Sequence, residues 1–271
     1  MVSDVKLKEL KEMAKQVRRN VVTCVGTECP GHLGGSMSSA DLVTALYFYK
    51  MNYDPKDPKR DRFILSKGHV AILQYAALAE LGVVPKDELK NTKTIGCTIF
   101  QGHPDKIKTP GIEAGTGSLG QGLSVAVGMA IGQKLSGYSA KSYALVGDGE
   151  LGEGQIWEAA MLAAAKKVDN LVCILDNNTL QATGPIKDRM DSGDLKSKWE
   201  SFGWKVIEID GHDMKQICDA YDKADEVKGQ PTLILAHTVK GKGISFAENV
   251  VGFHNGQLSP EQFEQAMKEL A

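Results

Sequence analysis

The sequence predicts an α/β fold: a parallel sheet with helices on both faces. Three observations predict it. Short apolar runs recur along the chain, stretches of helical periodicity separate them, and turns rich in glycine, aspartate or asparagine follow several of the runs. Strands covered on both faces read as continuous apolar runs, and right-handed crossovers through helices make such strands parallel.

Ser3 stands where it can cap a first helix whose Leu7, Leu10, Met13 or Ala14, Val17 and Val21 share one face. Ser38 and Ser39 precede a second helix, over about 41–50. Arg62-Phe63-Ile64-Leu65 reads as a short buried strand feeding a helix over about 69–81. A glycine-rich loop at 109–117 runs into a small-residue helix at 119–135. Further strands fall at 143–146, 171–175, 205–209 and 232–236, with helices near 153–167 and 214–227 between them. Ser259-Pro260-Glu261 opens a last helix, with proline at its first position. No linker, repeat or low-complexity stretch divides residues 1–271, which read as one domain. Open parallel sheets bind ligands beyond the carboxyl ends of their strands, so chemistry is expected in the loops after Leu65, Val146, Leu175 and Ala236.

The chain has 271 residues, 42% of them hydrophobic, with 32 Lys and Arg against 34 Asp and Glu. That length buries roughly three quarters of the unfolded surface without disulfide or metal staples. Disorder, collagen-like repeats and a miniature cysteine scaffold are excluded. The balanced charge, with no basic block denser than Lys56-Asp57-Pro58-Lys59-Arg60, leaves no footprint for nucleic acid or an anionic membrane. The charged run from Met1 to Glu9 lacks the apolar core of a signal peptide, so a cytoplasmic location is expected. Five cysteines at irregular spacing, Cys24, Cys29, Cys97, Cys173 and Cys218, are expected to be reduced thiols. Cys24, Cys29 and His32 suggest three zinc ligands, but no fourth follows at a finger-like spacing, which favours free thiols.

Two segments satisfy a dinucleotide-type glycine pattern, Gly115-Thr116-Gly117-Ser118-Leu119-Gly120 and Gly147-Asp148-Gly149-Glu150-Leu151-Gly152. In the second, Asp148, Glu150 and the following Glu153 form a carboxylate cluster that would repel a bare diphosphate. A divalent cation reverses that argument, because Mg²⁺ joins carboxylate and amide oxygens to phosphate oxygens. Asn178 supplies the second oxygen. It follows the next predicted strand, one crossover after Asp148, so adjacent parallel strands bring both groups to one sheet edge. A Gly-Asp-Gly turn followed one such step later by Asn-Asn is the signature of thiamine diphosphate enzymes.

The run from Gly147 to Ala159 resembles the diphosphate-binding half of a transketolase, as do Gly31-His32-Leu33-Gly34-Gly35-Ser36, Asp61 to His69 and Gln101-Gly102-His103-Pro104. Thr109 to Glu113, Gly117 to Gly122, Thr238-Val239-Lys240-Gly241-Lys242-Gly243 and Phe253-His254 continue the match in family order. The resemblance covers the whole chain and the first half of a full-length transketolase. It implies a thiamine diphosphate-binding fold and transfer of a two-carbon ketol unit from a ketose phosphate to an aldose phosphate, as in the pentose phosphate pathway. By similarity, Asp148, Asn178 and the carbonyl of Leu180 hold Mg²⁺, or Ca²⁺ or Mn²⁺ in its place. Gly147 and Gly149 flank the metal ligand in the cofactor-binding turn. His69 and Lys240 touch the cofactor diphosphate, and Gly117, Ser118 and Leu119 offer it backbone amides. His254 also borders the cofactor, and His32, His103 and His254 face the sugar oxygens, where a near-neutral imidazole suits proton handling. Glu153 is expected to orient a site group through hydrogen bonds. His212 and His237 match no catalytic position, and Trp157 with the alanines at 159–165 reads as packed helix core. Leu33 replaces a common proline, and residues 24–30 depart from the usual lead-in; both adjoin the sugar donor side.

In this family the glutamate that activates the cofactor and the pocket for its pyrimidine ring lie in a second domain. The resemblance therefore implies a separate pyrimidine-domain chain as partner, in a two-plus-two heterotetramer acting on sugar phosphates. Three rivals remain open: another thiamine diphosphate enzyme component, of deoxyxylulose phosphate synthase or 2-oxoacid dehydrogenase type; a nicotinamide dehydrogenase; and a non-catalytic scaffold subunit.

Overall fold

The computed structural model describes residues 2–271; Met1, the first residue of the charged N-terminal run, lies outside them. In chain order the elements are α1 (Asp4–Val25), α2 (Leu33–Ser38), α3 (Ala40–Ala45), β1 (Arg62–Leu65), α4 (Ala71–Glu80) and α5 (Gln121–Leu135). Then come β2 (Ser142–Gly147), α6 (Gly154–Ala165), β3 (Leu171–Asn177), β4 (Leu180–Gln181), β5 (Gly184–Pro185), α7 (Ile186–Arg189) and α8 (Leu195–Ser201). β6 (Lys205–Asp210), α9 (Met214–Glu226), β7 (Thr232–His237) and α10 (Pro260–Glu269) complete it.

Five parallel strands form one sheet in the order β1-β2-β3-β7-β6, while β4 and β5 make a small antiparallel pair beside it. Alternation along the strands divides the apolar side chains between two layers. Tyr143, Leu145, Val172, Ile174 and Ile234 face α1, α3, α4 and α9, and Ala144, Val146, Cys173, Leu175 and Leu233 face α5, α6 and α8. Trp157, partly buried, packs against the core, with its ring centroid 5.3 Å from that of Trp199 and 5.1 Å from that of Phe202. Register sets Gly147 beside Asp176 and Asn177 beside His237, so β2, β3 and β7 end together at one rim.

Two helix starts behave as the sequence predicts. Ser3 Oγ accepts from the Lys6 amide at 3.2 Å, and Ser259 with Gln262 forms a reciprocal capping box. Two others are corrected. The predicted helix over 41–50 is helical throughout but splits into α3 and a wide π turn, Leu46–Lys50; Ser39 holds the N-cap position of α3 without a side-chain cap bond, and the Ser38 and Ser39 hydroxyls are drawn into the sheet-end site. The helix placed at 119 starts at Gln121, because Gly120 takes a left-handed conformation (φ 88°) that helix interiors exclude. Helices α2 and α8 lack the periodic apolar pattern that marks the longer helices in the sequence.

Candidate functional site

The carboxyl ends of β1, β2, β3 and β7 open onto a cavity of about 330 Å³. Its floor is organised by Asp176, which is fully buried near the end of β3. Asp176 Oδ2 accepts from Lys67 Nζ at 2.5 Å, Ser38 Oγ at 2.7 Å and Asn178 Nδ2 at 2.9 Å, and Oδ1 accepts from Thr238 Oγ1. Burial alone would raise this carboxyl, but the Lys67 ammonium and these hydrogen bonds override it and hold it at about 2. Lys67 also donates to Ser39 Oγ and to the Gly35 carbonyl, so the loops after β1, β3 and β7 and helix α2 converge on one charge pair.

Asp148 sits where β2 gives way to a short 3-10 turn, and its carboxylate accepts from the amides of Gly149 and Thr179. Thr179 has φ 64°, a left-handed conformation that is costly for a β-branched residue. That twist turns the chain between Asn178 and Leu180, and the Leu180 carbonyl receives Lys240 Nζ at 2.7 Å. Asp148, Asn178 and Leu180 all line the cavity. Burial, with Asp176 close by, raises Asp148 to about 7. Lys67 and Lys240 act on this buried carboxylate only from beyond ion-pair distance, and the available donors are a carboxylate, an amide oxygen and a main-chain carbonyl. This is an oxygen set for a hard divalent cation. Among the described residues no three His, Cys, Asp or Glu side chains gather as a metal cluster, and Cys24 and Cys29 line a different cavity from His32.

Gly117 and Leu119 line the same cavity. Because α5 starts at Gln121, residues 117–119 form the loop ahead of the helix rather than its first turn, and Ser118 faces a neighbouring groove. Thr116 Oγ1 donates to the Leu65 carbonyl at 2.7 Å, which fastens this loop to the end of β1.

His32, His69 and His254 make a compact cluster on the cavity wall, with centroid separations of 4.9, 5.4 and 5.3 Å. Burial depresses all three, followed by nearby lysines: His32 to about 4, beside Lys93; His69 to about 2, beside Lys67; His254 to about 4, beside Lys240. They are neutral imidazoles at pH 7. Lys240 is itself lowered to about 8, by burial and then by the like charge of Lys67, and its Nζ lies 2.9 Å from His254 Nδ1.

The structure thus brings Asp148, Asn178, Leu180, Lys240, His32, His69, His254, Gly117, Leu119, Gly147 and Gly149 to one cavity. His103 is exposed and lines the adjoining groove with Ser118, yet it borders the cavity wall, since a Cβ at Gly117 would lie 2.9 Å from its ring. Glu153 is exposed on the outer lip, and its side chain forms no hydrogen bond among the described residues. His212 is structural: Nδ1 meets Asp41 at 2.8 Å and Nε2 accepts from the Val239 amide at 2.8 Å. The sequence reading missed Asp176 and Lys67 as the charge pair beneath the site. The available signal was an aspartate closing an apolar strand run, a position that buries charge only when a partner exists.

Residues 10–271 match the family model described as transketolase, thiamine diphosphate binding domain. The chain is 44% identical over 266 residues to an apulose-4-phosphate transketolase subunit of Actinobacillus succinogenes, covering 97% of this chain and 96% of that protein. It is 41% identical to a 6-deoxy-6-sulfo-D-fructose transketolase subunit of a Clostridium species, with coverages of 97% and 96%. Human transketolase is 40% identical over 98% of this chain but only 42% of its own length. The solved transketolase of Campylobacter jejuni superposes with a TM-score of 0.90 at 31% identity, over 99% of this chain and 43% of that one. The chain spans about two fifths of the full-length transketolases it matches, and nearly all of the subunit-sized relatives. The parallel sheet with its flanking helices agrees with these matches, and the chain belongs to the transketolase family as its thiamine diphosphate-binding domain.

Proposed function

We propose that this chain is the diphosphate-binding subunit of a two-chain transketolase that moves a two-carbon ketol unit from a ketose phosphate to an aldose phosphate. One observation carries the reading: a hard-oxygen donor set, an amide-bearing loop, a buried lysine and three neutral histidines share a single cavity. Thiamine diphosphate supplies the carbon nucleophile that such a transfer requires. Asp148, Asn178 and the Leu180 carbonyl hold Mg²⁺, with Ca²⁺ and Mn²⁺ fitting the same set, and the turn at Gly147 and Gly149 leaves room for it. Lys240, His69 and the backbone at Gly117, Ser118 and Leu119 receive the diphosphate. His32, His103 and His254 hold sugar hydroxyls and carbonyls, since a neutral imidazole both donates and accepts. Glu153, on the open lip, reaches its hydrogen-bond partner only when a second chain covers it.

The names of the relatives support the partner, since two that match nearly end to end are themselves called subunits of an apulose-4-phosphate transketolase. We assign a pyrimidine-domain chain as that partner, in a two-plus-two assembly. Free cysteines support a reducing, cytoplasmic setting.

The test is reconstitution. A tagged copy in Mg²⁺ and thiamine diphosphate should retain a companion chain at one-to-one stoichiometry by native mass, and the pair should transfer ketol units while this chain alone does not. Asp148→Ala should abolish cofactor binding by the pair; unchanged affinity would overturn the metal assignment. His103→Ala should lower turnover far more than metal affinity, and equal losses would make His103 structural. Full transfer by the isolated chain would overturn the two-chain reading.

A further inference from the structure

Glu150 is 2% exposed, lines the cavity, and has no part in the ligand set above. Its Oε1 accepts from Ser66 Oγ at 2.5 Å and from the Gly120 amide at 2.7 Å, while Oε2 accepts from the Gly147 amide at 3.1 Å. The three donors belong to three separate segments: the turn after β1, the residue ahead of α5, and the end of β2. α5 has no side-chain cap and no acidic residue in its first turn. Its Gly120 amide is therefore met by a carboxylate from another loop. The surrounding packing leaves no slack, since a Cβ at Gly122 would lie 2.5 Å from Ser66 and one at Gly68 would lie 2.7 Å from Thr116.

We propose that Glu150 is a positioning residue that clamps the 117–120 loop against the Gly147–Gly149 turn, fixing the span between the amides offered to a diphosphate and the carboxylate offered to its metal. The inference rests on the cofactor reading above and adds a determinant of the cavity's shape to it. The clamp needs an acceptor at both carboxylate oxygens, because the Gly120 and Gly147 amides meet different ones. A glutamine has one acceptor oxygen, and its amino group would face an N–H that has lost its partner.

The full chain is titrated with inorganic pyrophosphate in Mg²⁺ by calorimetry, and amide hydrogen exchange is followed at residues 117–120 and along β3. Glu150→Gln should weaken pyrophosphate binding about tenfold or more, the consequence of losing a hydrogen bond to a charged group. Exchange at 117–120 should accelerate while β3 stays protected. Ser66→Ala leaves both amide bonds intact and should lower affinity less than about threefold. Glu150→Asp keeps the charge but is too short to reach both amides, so it should reproduce the loss, and it carries the test should the glutamine variant fail to fold. Wild-type affinity and wild-type exchange in either variant would overturn the clamp. Failure of the unaltered chain to bind pyrophosphate would overturn the cofactor reading instead, with the exchange data still deciding the clamp.

Discussion

Lys67 Nζ lies 2.5 Å from Asp176 Oδ2, with both side chains at 3% exposure or less. A buried pair of this kind is only modestly stabilising as a whole, but removing one member strands the other charge. Lys67→Met should therefore destabilise the chain by about 3–5 kcal/mol in urea unfolding. The double substitution Lys67→Met, Asp176→Leu should regain only part of that loss, because Ser38, Asn178 and Thr238 lose their shared acceptor. It should not regain divalent metal affinity, because Asn178 Nδ2 then has no Asp176 carboxylate to turn its oxygen toward the cavity. A single variant within 1 kcal/mol of the parent would show that water reaches the pair.

The three cavity histidines set an acid limit. The folded state holds His32 and His254 at about 4 and His69 at about 2, below the ordinary value of about 6.5, so the folded form prefers them neutral. Acidification then favours the unfolded chain, which takes up the protons first. Stability should fall as the pH drops from about 6.5 toward 4. Ring-proton NMR should show none of the three titrating between pH 8 and 5; a ring with its midpoint near 6.5 would contradict the burial of the cluster.

Asp41 behaves in the opposite sense. Burial opposes its charge, but Arg18, bonded at 2.9 and 2.6 Å, and His212 outweigh that and hold the carboxyl at about 2. Its contribution is fully present above about pH 4 and is lost as the pH falls from there to about 2, amounting to about 2–3 kcal/mol at neutral pH. Asp41→Asn should be clearly less stable than the parent at pH 7, with the gap narrowing below pH 4. A gap independent of pH would mean that shape, not charge, is what the site requires.

Gly241 has φ 81°, and a Cβ there would overlap the carbonyl of Ala247. Gly241→Ala should lose more than the roughly 1–2 kcal/mol of left-handed backbone alone, and should displace Lys240 enough to weaken anion binding. Gly128 is the control, exposed in the middle of α5 with open space at its Cβ position. In the isolated chain Gly128→Ala should raise stability by about 0.5–1 kcal/mol, measured by thermal unfolding.

The sheet was legible because its strands are short apolar runs, and nothing but burial on both faces explains Tyr143 to Val146 or Leu171 to Leu175. The groups that gather at the sheet's end were legible where they follow such a run directly, as Asp148 and Asn178 do. What escaped notice depends on contacts between distant segments. Ser38 and Ser39 look like helix caps locally, and only the approach of Asp176 and Lys67 redirects them. Thr179 carries no propensity for its left-handed twist; the bond from its amide to Asp148 accompanies it. α8 is polar along most of its length and is kept in place largely by Trp199, a single buried anchor.

β7 comes last among the strands in sequence yet lies inside the sheet, hydrogen-bonded to β3 on one side and β6 on the other. β6 stands at the sheet's edge beside β7, so it has no strand to join until that later segment is made. Thr238 and Lys240 follow β7 immediately, so Asp176 and the Leu180 carbonyl receive their final partners at the same moment. Ligand capture thereby becomes a report on completed folding: a chain that stops short of β7 lacks the Lys240 ammonium of the cavity.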